Sequence, residues 1–316
     1  MSPSILGIHH ITAISGDPQK NINFYAGILG LRLVKKTINF DAPDVYHFYF
    51  GDALGHPGTV FTTFPFPGAR RGLKGIGEVT HTAFSIGKDS IDFWEERLKR
   101  FGVIISDRLI RFGHPLLRFE DQDGMGIELV ANAEDERMGW TFEGIPLPHA
   151  IKGFYGATMA LRSKDLTENL LLEHLNYHFF DQEGYRFRYG LDAKPGQWID
   201  ILQEPKGQRG IQSAGSVHHL AFRTPNEMTQ LEMQQSLIKL GFGVTEVRDR
   251  NYFKSIYFRE PGGILVEIAT DVPGFAIDED EAHLGTSLRL PAWVEGKRKQ
   301  IESSLPPVTF QPENYV

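Results

Sequence analysis

Two doubled histidines and one glutamate are the residues whose types and spacing could do chemistry in this sequence. They lie in Ile8-His9-His10-Ile11, in Val217-His218-His219-Leu220 and at the end of Pro261-Gly262-Gly263-Ile264-Leu265-Val266-Glu267. Two neutral imidazoles and one carboxylate make a facial triad that leaves coordination positions open, the pattern of non-haem iron(II) oxygenases. Imidazoles suit iron(II), the carboxylate lowers the net charge, and open positions let substrate and oxygen bind side by side. A lone His on an apolar strand is more often structural. With 12 histidines in the chain, composition alone gives roughly half a His-His pair. Two pairs occur, and they recur at one place in a repeat. Neighbouring strand side chains point to opposite faces, so one His of each pair at most is expected to touch a metal. Periodicity does not say which.

The elements that must position these residues are four copies of one unit. Four segments open with a similar strand, Gly7–Ala13, Glu78–Phe84, Gly153–Met159 and Ser216–Phe222. Helical patterns follow, with apolar positions Ile91, Phe93, Trp94 and Leu98 in the second and Met228, Leu231, Leu237 and Ile238 in the fourth. Each ends in an apolar residue followed by Gly30, Gly102, Asn176 or Gly241, residue types that accept the left-handed conformation closing a helix. The aligned first-strand positions are His10, His81, Gly156 and His219, and they precede these stops by 20, 21, 20 and 22 residues. Glycine-led final strands place Thr63, Glu128, Asp200 and Glu267 at the aligned last-strand position. The spacing therefore predicts an α+β fold of four βαβββ modules. The prolines of Glu143–His149 mark a boundary, giving domains over 1–145 and 150–316. After Thr270 a tail without the repeat carries Asp278-Glu279-Asp280-Glu281, expected to be a solvated loop.

Two modules closing a half-barrel contribute four such positions. Modules one and four give His10, Thr63, His219 and Glu267. Modules one and two give His10, His81 and Glu128, a triad of the same type. The pattern leaves both pairings open.

Composition narrows the chemistry. The chain has 316 residues and no cysteine, which excludes disulfides, thiolate metal sites, iron–sulfur clusters and cysteine nucleophiles. A net charge of -7 argues against a nucleic-acid partner. Met1–Gly7 lacks a basic region followed by an apolar stretch, and no apolar run approaches membrane-spanning length. A cytoplasmic location with no membrane contact is expected, and a homo-oligomeric state is left open.

The repeated modules resemble the vicinal oxygen chelate superfamily, which holds glyoxalases, bleomycin-resistance proteins and extradiol dioxygenases. Leu29–Lys36, Gly55–Thr59, Tyr252–Glu260 and Ile268–Phe275 look like the hydroquinone ring-cleaving dioxygenases. The resemblance covers nearly the whole chain, including Ala282–Gly285, and is strongest over residues 215–285. It implies two half-barrel domains, with modules one and four sharing the metal site. It implies His10, His219 and Glu267 as ligands of Fe(2+), and His9, Thr12, His218, Arg250 and Tyr257 as the catalytic residues around them. The sequence departs from the family in carrying both His81 and Glu128, which keeps a second site in view. The resemblance implies an extradiol-type ring-cleaving dioxygenase taking a small aromatic substrate, a hydroquinone or catechol-like phenol, and O2. A glyoxalase-like isomerase would instead need a second glutamate where Thr63 is aligned, and a binding or resistance protein would need no complete triad.

Overall fold

The computed structural model describes residues 5–142 and 144–316. The expectation for Met1–Gly7 falls partly, and that for Glu143 wholly, outside the described residues. Module one supplies strands β1 (Ile8–Ser15), β2 (Arg32–Asn39), β3 (Ala42–Gly51) and β4 (Val60–Pro65). Module two supplies β5 (Glu78–Ile86), β6 (Ile105–Arg111), β7 (His114–Glu120) and β8 (Gly126–Ala131). Module three supplies β9 (Gly153–Leu161), β10 (His178–Glu183), β11 (Arg186–Gly190) and β12 (Trp198–Gln203). Module four supplies β13 (Ser216–Thr224), β14 (Arg248–Asp249), β15 (Phe253–Arg259) and β16 (Leu265–Pro273).

Within a module the first and last strands pair in parallel, which requires the crossover helix between them. The crossovers are α1 (Pro18–Ile22), α2 (Ile91–Arg100), α3 (Asp165–Asn169) and α4 (Glu227–Lys239), with π-helical turns continuing α1 and α3. All four predicted stops lie at positive φ: Gly30 at 66°, Gly102 at 74°, Asn176 at 60° and Gly241 at 89°. On α2, Ile91, Trp94 and Leu98 are buried as the apolar pattern predicts. The pattern on α4 misleads, because Met228, Leu231 and Ile238 are exposed. There Gln230, Met233 and Leu237 face inward. The Gln230 amide donates to the carbonyls of Lys254 and Ile268, so a polar residue on that face satisfies buried backbone acceptors.

The modules pair as one with four and two with three. One sheet runs β14-β15-β16-β13-β1-β4-β3-β2 and the other β10-β11-β12-β9-β5-β8-β7-β6. The joins are antiparallel, β1 against β13 and β5 against β9. Each half-barrel thus takes one module from each side of the boundary at 145–150. The main apolar cluster runs through both, with Phe24, Phe61, Phe84, Phe119 and Phe154 among its buried members, and two smaller ones flank it. Among the described residues no helix is long and apolar enough to cross a membrane.

The tail packs back onto module one. Lys35 is fully buried, and its ammonium lies 2.5 Å from Asp278 and 2.6 Å from Glu279. Glu279 is itself buried and also accepts hydrogen bonds from Ser287. The acidic run is therefore not a solvated loop: its first two carboxylates neutralise a buried cation, which is costly to leave unpaired.

The concave face of the second sheet is filled by ion pairs. Glu128 accepts from Arg111 at 2.6 Å and Arg118 at 3.0 Å, and Asp200 from Arg188 at 2.8 Å and Arg186 at 3.3 Å. Only about 10 Å³ of space remains there. Burial pushes the Glu128 carboxyl up, but Arg111, His81 and Arg118 outweigh it and hold the pKa at about 2. A depressed carboxylate stabilises the fold above its unfolded pKa of about 4.3, and the contribution is lost as pH falls towards the folded value. Glu128→Gln leaves Arg111 buried without its charge partner, a loss on the order of 3–5 kcal/mol for a buried pair. Thermal melts should show a marked drop in Tm at pH 7 that narrows as the pH is lowered from about 4.5. An unchanged Tm at pH 7 would contradict this.

Candidate metal centre

The β1–β13 pairing brings the two His-His sequences to one place. In its register Thr12 lies opposite His219 and His10 opposite Ala221. Parallel pairing of β13 with β16 then sets Glu267 beside Ala221. His10 Nε2 and His219 Nε2 are 3.2 Å apart, and Glu267 Oε2 lies 3.3 Å and 2.9 Å from them. All three residues are buried. Among the described residues they form the one group of three such donors close enough to share an ion.

The residues fit a divalent cation. Donors about 2.1 Å from an ion and at right angles to one another stand roughly 3 Å apart, and all three separations are near that. Glu267 Oε2 accepts no well-directed hydrogen bond although it is buried. An orphaned carboxylate oxygen between two imidazole edges is what a cation would satisfy. Burial pushes Glu267 up, yet His10 and His219 outweigh it and hold the carboxyl well below its ordinary value. Burial lowers His219, against the pull of Glu267. The charge state is thus an ionised carboxylate with a neutral imidazole, as metal binding requires. The second oxygen of Glu267 is fixed by the Ser255 hydroxyl.

The neighbouring histidines set the tautomers. His9 Nε2 is 3.1 Å from the Thr270 carbonyl, and His9 Nδ1 is 2.8 Å from His10 Nδ1. A carbonyl only accepts, so His9 carries its proton on Nε2. Burial and His10 push His9 well below its ordinary pKa, so it is neutral and its Nδ1 accepts. His10 Nδ1 must then donate, which leaves its Nε2 lone pair for the shared centre. His218 Nδ1 lies 2.7 Å from His219 Nδ1 in the equivalent place. Burial and His219 push His218 down to about 3.

A cavity of about 310 Å³ opens from this cluster, lined by His10, His218, His219, Arg250, Tyr257 and Glu267 among others. Arg250 Nε donates to Tyr257 Oη at 3.0 Å, and its guanidinium lies 3.6 Å from Asp41. Burial works against the Arg250 charge, but Tyr257, Glu267 and Asp41 outweigh it and raise its pKa. Burial raises Tyr257, which therefore keeps its phenolic proton. Thr12 is buried and is not among the residues that line the cavity; its hydroxyl lies 2.7 Å from that of Thr62.

The last-strand alignment needs one correction. Thr12 pairs with Thr62 as Ala221 pairs with Glu267, so Thr62 is the counterpart of Glu267. Thr63 faces the other way and donates to Asn21 on α1. Consecutive threonines hide a one-residue shift that reverses the face. His47 and Asp41 also line the cavity and are missing from the sequence-based set. Aligning the third strands would have found His47, which stands in β3 where Ser255 stands in β15. His81 and Glu128 are not joined to the cluster: Glu128 is engaged by arginines, and His81 Nδ1 lies 3.1 Å from the Thr80 hydroxyl.

The relay is testable without metal. In ¹H–¹⁵N spectra of the metal-free protein near neutral pH, His9 should be the Nε2–H tautomer and His10 should carry a proton on Nδ1. A His9 protonated on Nδ1 instead would contradict it.

Comparison with known proteins agrees with this architecture. The family model described as Glyoxalase/Bleomycin resistance protein/Dioxygenase superfamily matches residues 7–129 and 148–268. The chain is 47% identical over 307 residues to the provisionally named ring-cleaving dioxygenase MhqO of Bacillus subtilis, covering 97% of this chain and 98% of that one. It is 32% identical over 308 residues to the chlorohydroquinone/hydroquinone 1,2-dioxygenase of Sphingobium indicum, covering 93% and 94%. A crystal structure of a provisionally named dioxygenase from Bacillus subtilis superposes with a TM-score of 0.94 at 46% identity, over 98% of this chain and 99% of that one. Matched in both halves and along its length, the chain belongs to the glyoxalase, bleomycin resistance protein and dioxygenase superfamily.

Proposed function

We propose that the protein is an iron(II)-dependent, extradiol-type ring-cleaving dioxygenase with a hydroquinone as substrate and His10, His219 and Glu267 as metal ligands. The observation that carries the reading is the convergence of two Nε2 atoms and one orphaned carboxylate oxygen at the floor of a ring-sized cavity. A 2-His-1-carboxylate set with open positions is the facial triad of non-haem iron(II) oxygenases; catalytic zinc sites share these ligands, and the dioxygenase names of the relatives favour iron. Hydroquinone rests on the name of the Sphingobium relative.

Bound iron(II) would supply adjacent open positions for a phenolate oxygen and for dioxygen, and the electron transfer between them. The chain's own residues do the rest. Phe253 and Phe64 line the cavity and offer the ring apolar contact. Arg250, held by Tyr257 and Asp41, presents a fixed positive charge to an oxygen that becomes anionic. Tyr257 accepts from Arg250, so its own proton is free to be donated to such an oxygen. His218 is neutral and lines the same cavity; with its Nδ1 turned to His219, its Nε2–H is left to donate a hydrogen bond to an anionic oxygen there. An isomerase of the glyoxalase kind would need a carboxylate opposite Glu267, and Thr62 stands there.

Replacing His10, His219 or Glu267 by Ala should each remove most of the bound iron, whereas Glu128→Gln should keep it. Full iron occupancy in all three Ala variants would sink the ligand assignment. Arg250→Met should keep iron and lose turnover on the order of a hundredfold. Normal kinetics in that variant would return Arg250 to a surface charge. The iron-loaded enzyme should consume one O2 per hydroquinone and give a ring-opened product heavier by two oxygen atoms, with catechols slower. Oxygen electrode traces and product mass check this, and no uptake with any phenol would favour the isomerase or binding readings.

A further inference from the structure

A hydroquinone carries its two hydroxyls on opposite sides of the ring, so one at the metal leaves the other with no partner there. Resting on the reading above, we propose that His47 is the specificity-determining residue that hydrogen-bonds this far hydroxyl through its Nδ1.

The placement of His47 supports this. It lies on β3, whose Tyr49 pairs with Thr62, the counterpart of Glu267. His47 is one same-face step along β3 from Tyr49, towards the Asn39–Asp41 turn that lines the other part of the cavity. Two strand residues advance roughly 6.8 Å along β3, so the backbone of His47 stands one step beyond the level of Tyr49 and Thr62. His47 thus shares the cavity wall with the metal donors and with that turn.

The ring is also held in place. His47 Nε2 is 2.9 Å from the Thr62 hydroxyl, which in turn bonds Thr12. The imidazole lies 4.0 Å from the Tyr49 ring and 4.3 Å from the Phe64 ring, measured between centroids. Its Nδ1 makes no hydrogen bond among the described residues, while the side chain lines the cavity. Thr62 either donates to Nε2 or accepts from it, so Nδ1 is a donor in one tautomer and an acceptor in the other. A phenol hydroxyl matches both. The counterpart in module four, Ser255, has no free group to offer, since its hydroxyl is committed to Glu267. The cavity is thereby asymmetric, with charge from Arg250 on one wall and a neutral imidazole edge on the other. A catechol, which can place both adjacent oxygens on the metal, has no hydroxyl for His47 to hold.

The two ring nitrogens can be separated by substitution. In His47→Asn the amide falls near the Nδ1 edge and the Thr62 contact is lost. In His47→Gln the amide falls near Nε2 and the Nδ1 edge is lost. Dissociation constants for hydroquinone and for phenol are measured under argon on the iron-loaded wild type and both variants. The wild type should prefer hydroquinone by about tenfold, the worth of one good hydrogen bond. His47→Asn should keep most of that preference and His47→Gln should bring the ratio to about one, with iron content equal in all three. Equal binding of the two ligands by the wild type would overturn the assignment. So would variants that behave alike, or the reverse order, which would make the Thr62 contact the one that matters. The ordering is read from binding alone. If it holds without any oxygen uptake, the dioxygenase reading fails and the role of His47 stands. If uptake occurs without the ordering, only the role of His47 fails.

Discussion

The antiparallel register of β1 on β13 constrains everything near the candidate metal centre. It brings together residues 209 positions apart, His10 and His219, with their Nε2 atoms 3.2 Å from one another. A one-residue slip of this pairing would turn each His-His sequence over and exchange the roles of its two histidines. The backbone does not permit that cheaply, because Ile8 and Ile11 on one strand and Leu220 and Phe222 on the other are packed into the core. The core thus fixes which histidine of each pair reaches the centre, and on β1 the Thr270 carbonyl, acting through His9, fixes which nitrogen His10 presents.

The same module meets the problem of a buried carboxylate in two ways. In the sheet of modules one and four, Glu267 faces two imidazoles and keeps one oxygen unsatisfied. In the sheet of modules two and three, Glu128 and Asp200 occupy the matching positions, and four arginines neutralise them. Gly156 stands where His219 stands, and a Cβ there would meet the Trp198 backbone and side chain. Guanidinium groups fill the second centre, so it has neither donors in excess nor room. One half-barrel is closed by ion pairs and the other keeps an open cavity.

Much of this was legible in the sequence because it rests on local rules. Helix stops at Gly30, Gly102, Asn176 and Gly241 require a left-handed residue, and composition shows it. The doubled histidines recur at a fixed distance from those stops. The pairing of modules was not legible, since either partner for module one yields two imidazoles and a glutamate; only the resemblance favoured module four. The inward role of Glu279 was hidden because a charge run looks the same whether water or Lys35 meets it. Thr62 was missed because Thr63 beside it is the same residue type on the opposite face. His47 was missed because an isolated His in an aromatic strand carries no signal until the strand beside it is known.

We infer that this pairing builds one metal centre per chain. Anomalous diffraction at the iron edge, from crystals of the protein loaded anaerobically with iron(II), tests it most directly. A single peak is expected between His10 Nε2, His219 Nε2 and Glu267 Oε2, with none beside His81 and Glu128. A peak in the second half-barrel, or an iron held away from Glu267, would contradict it.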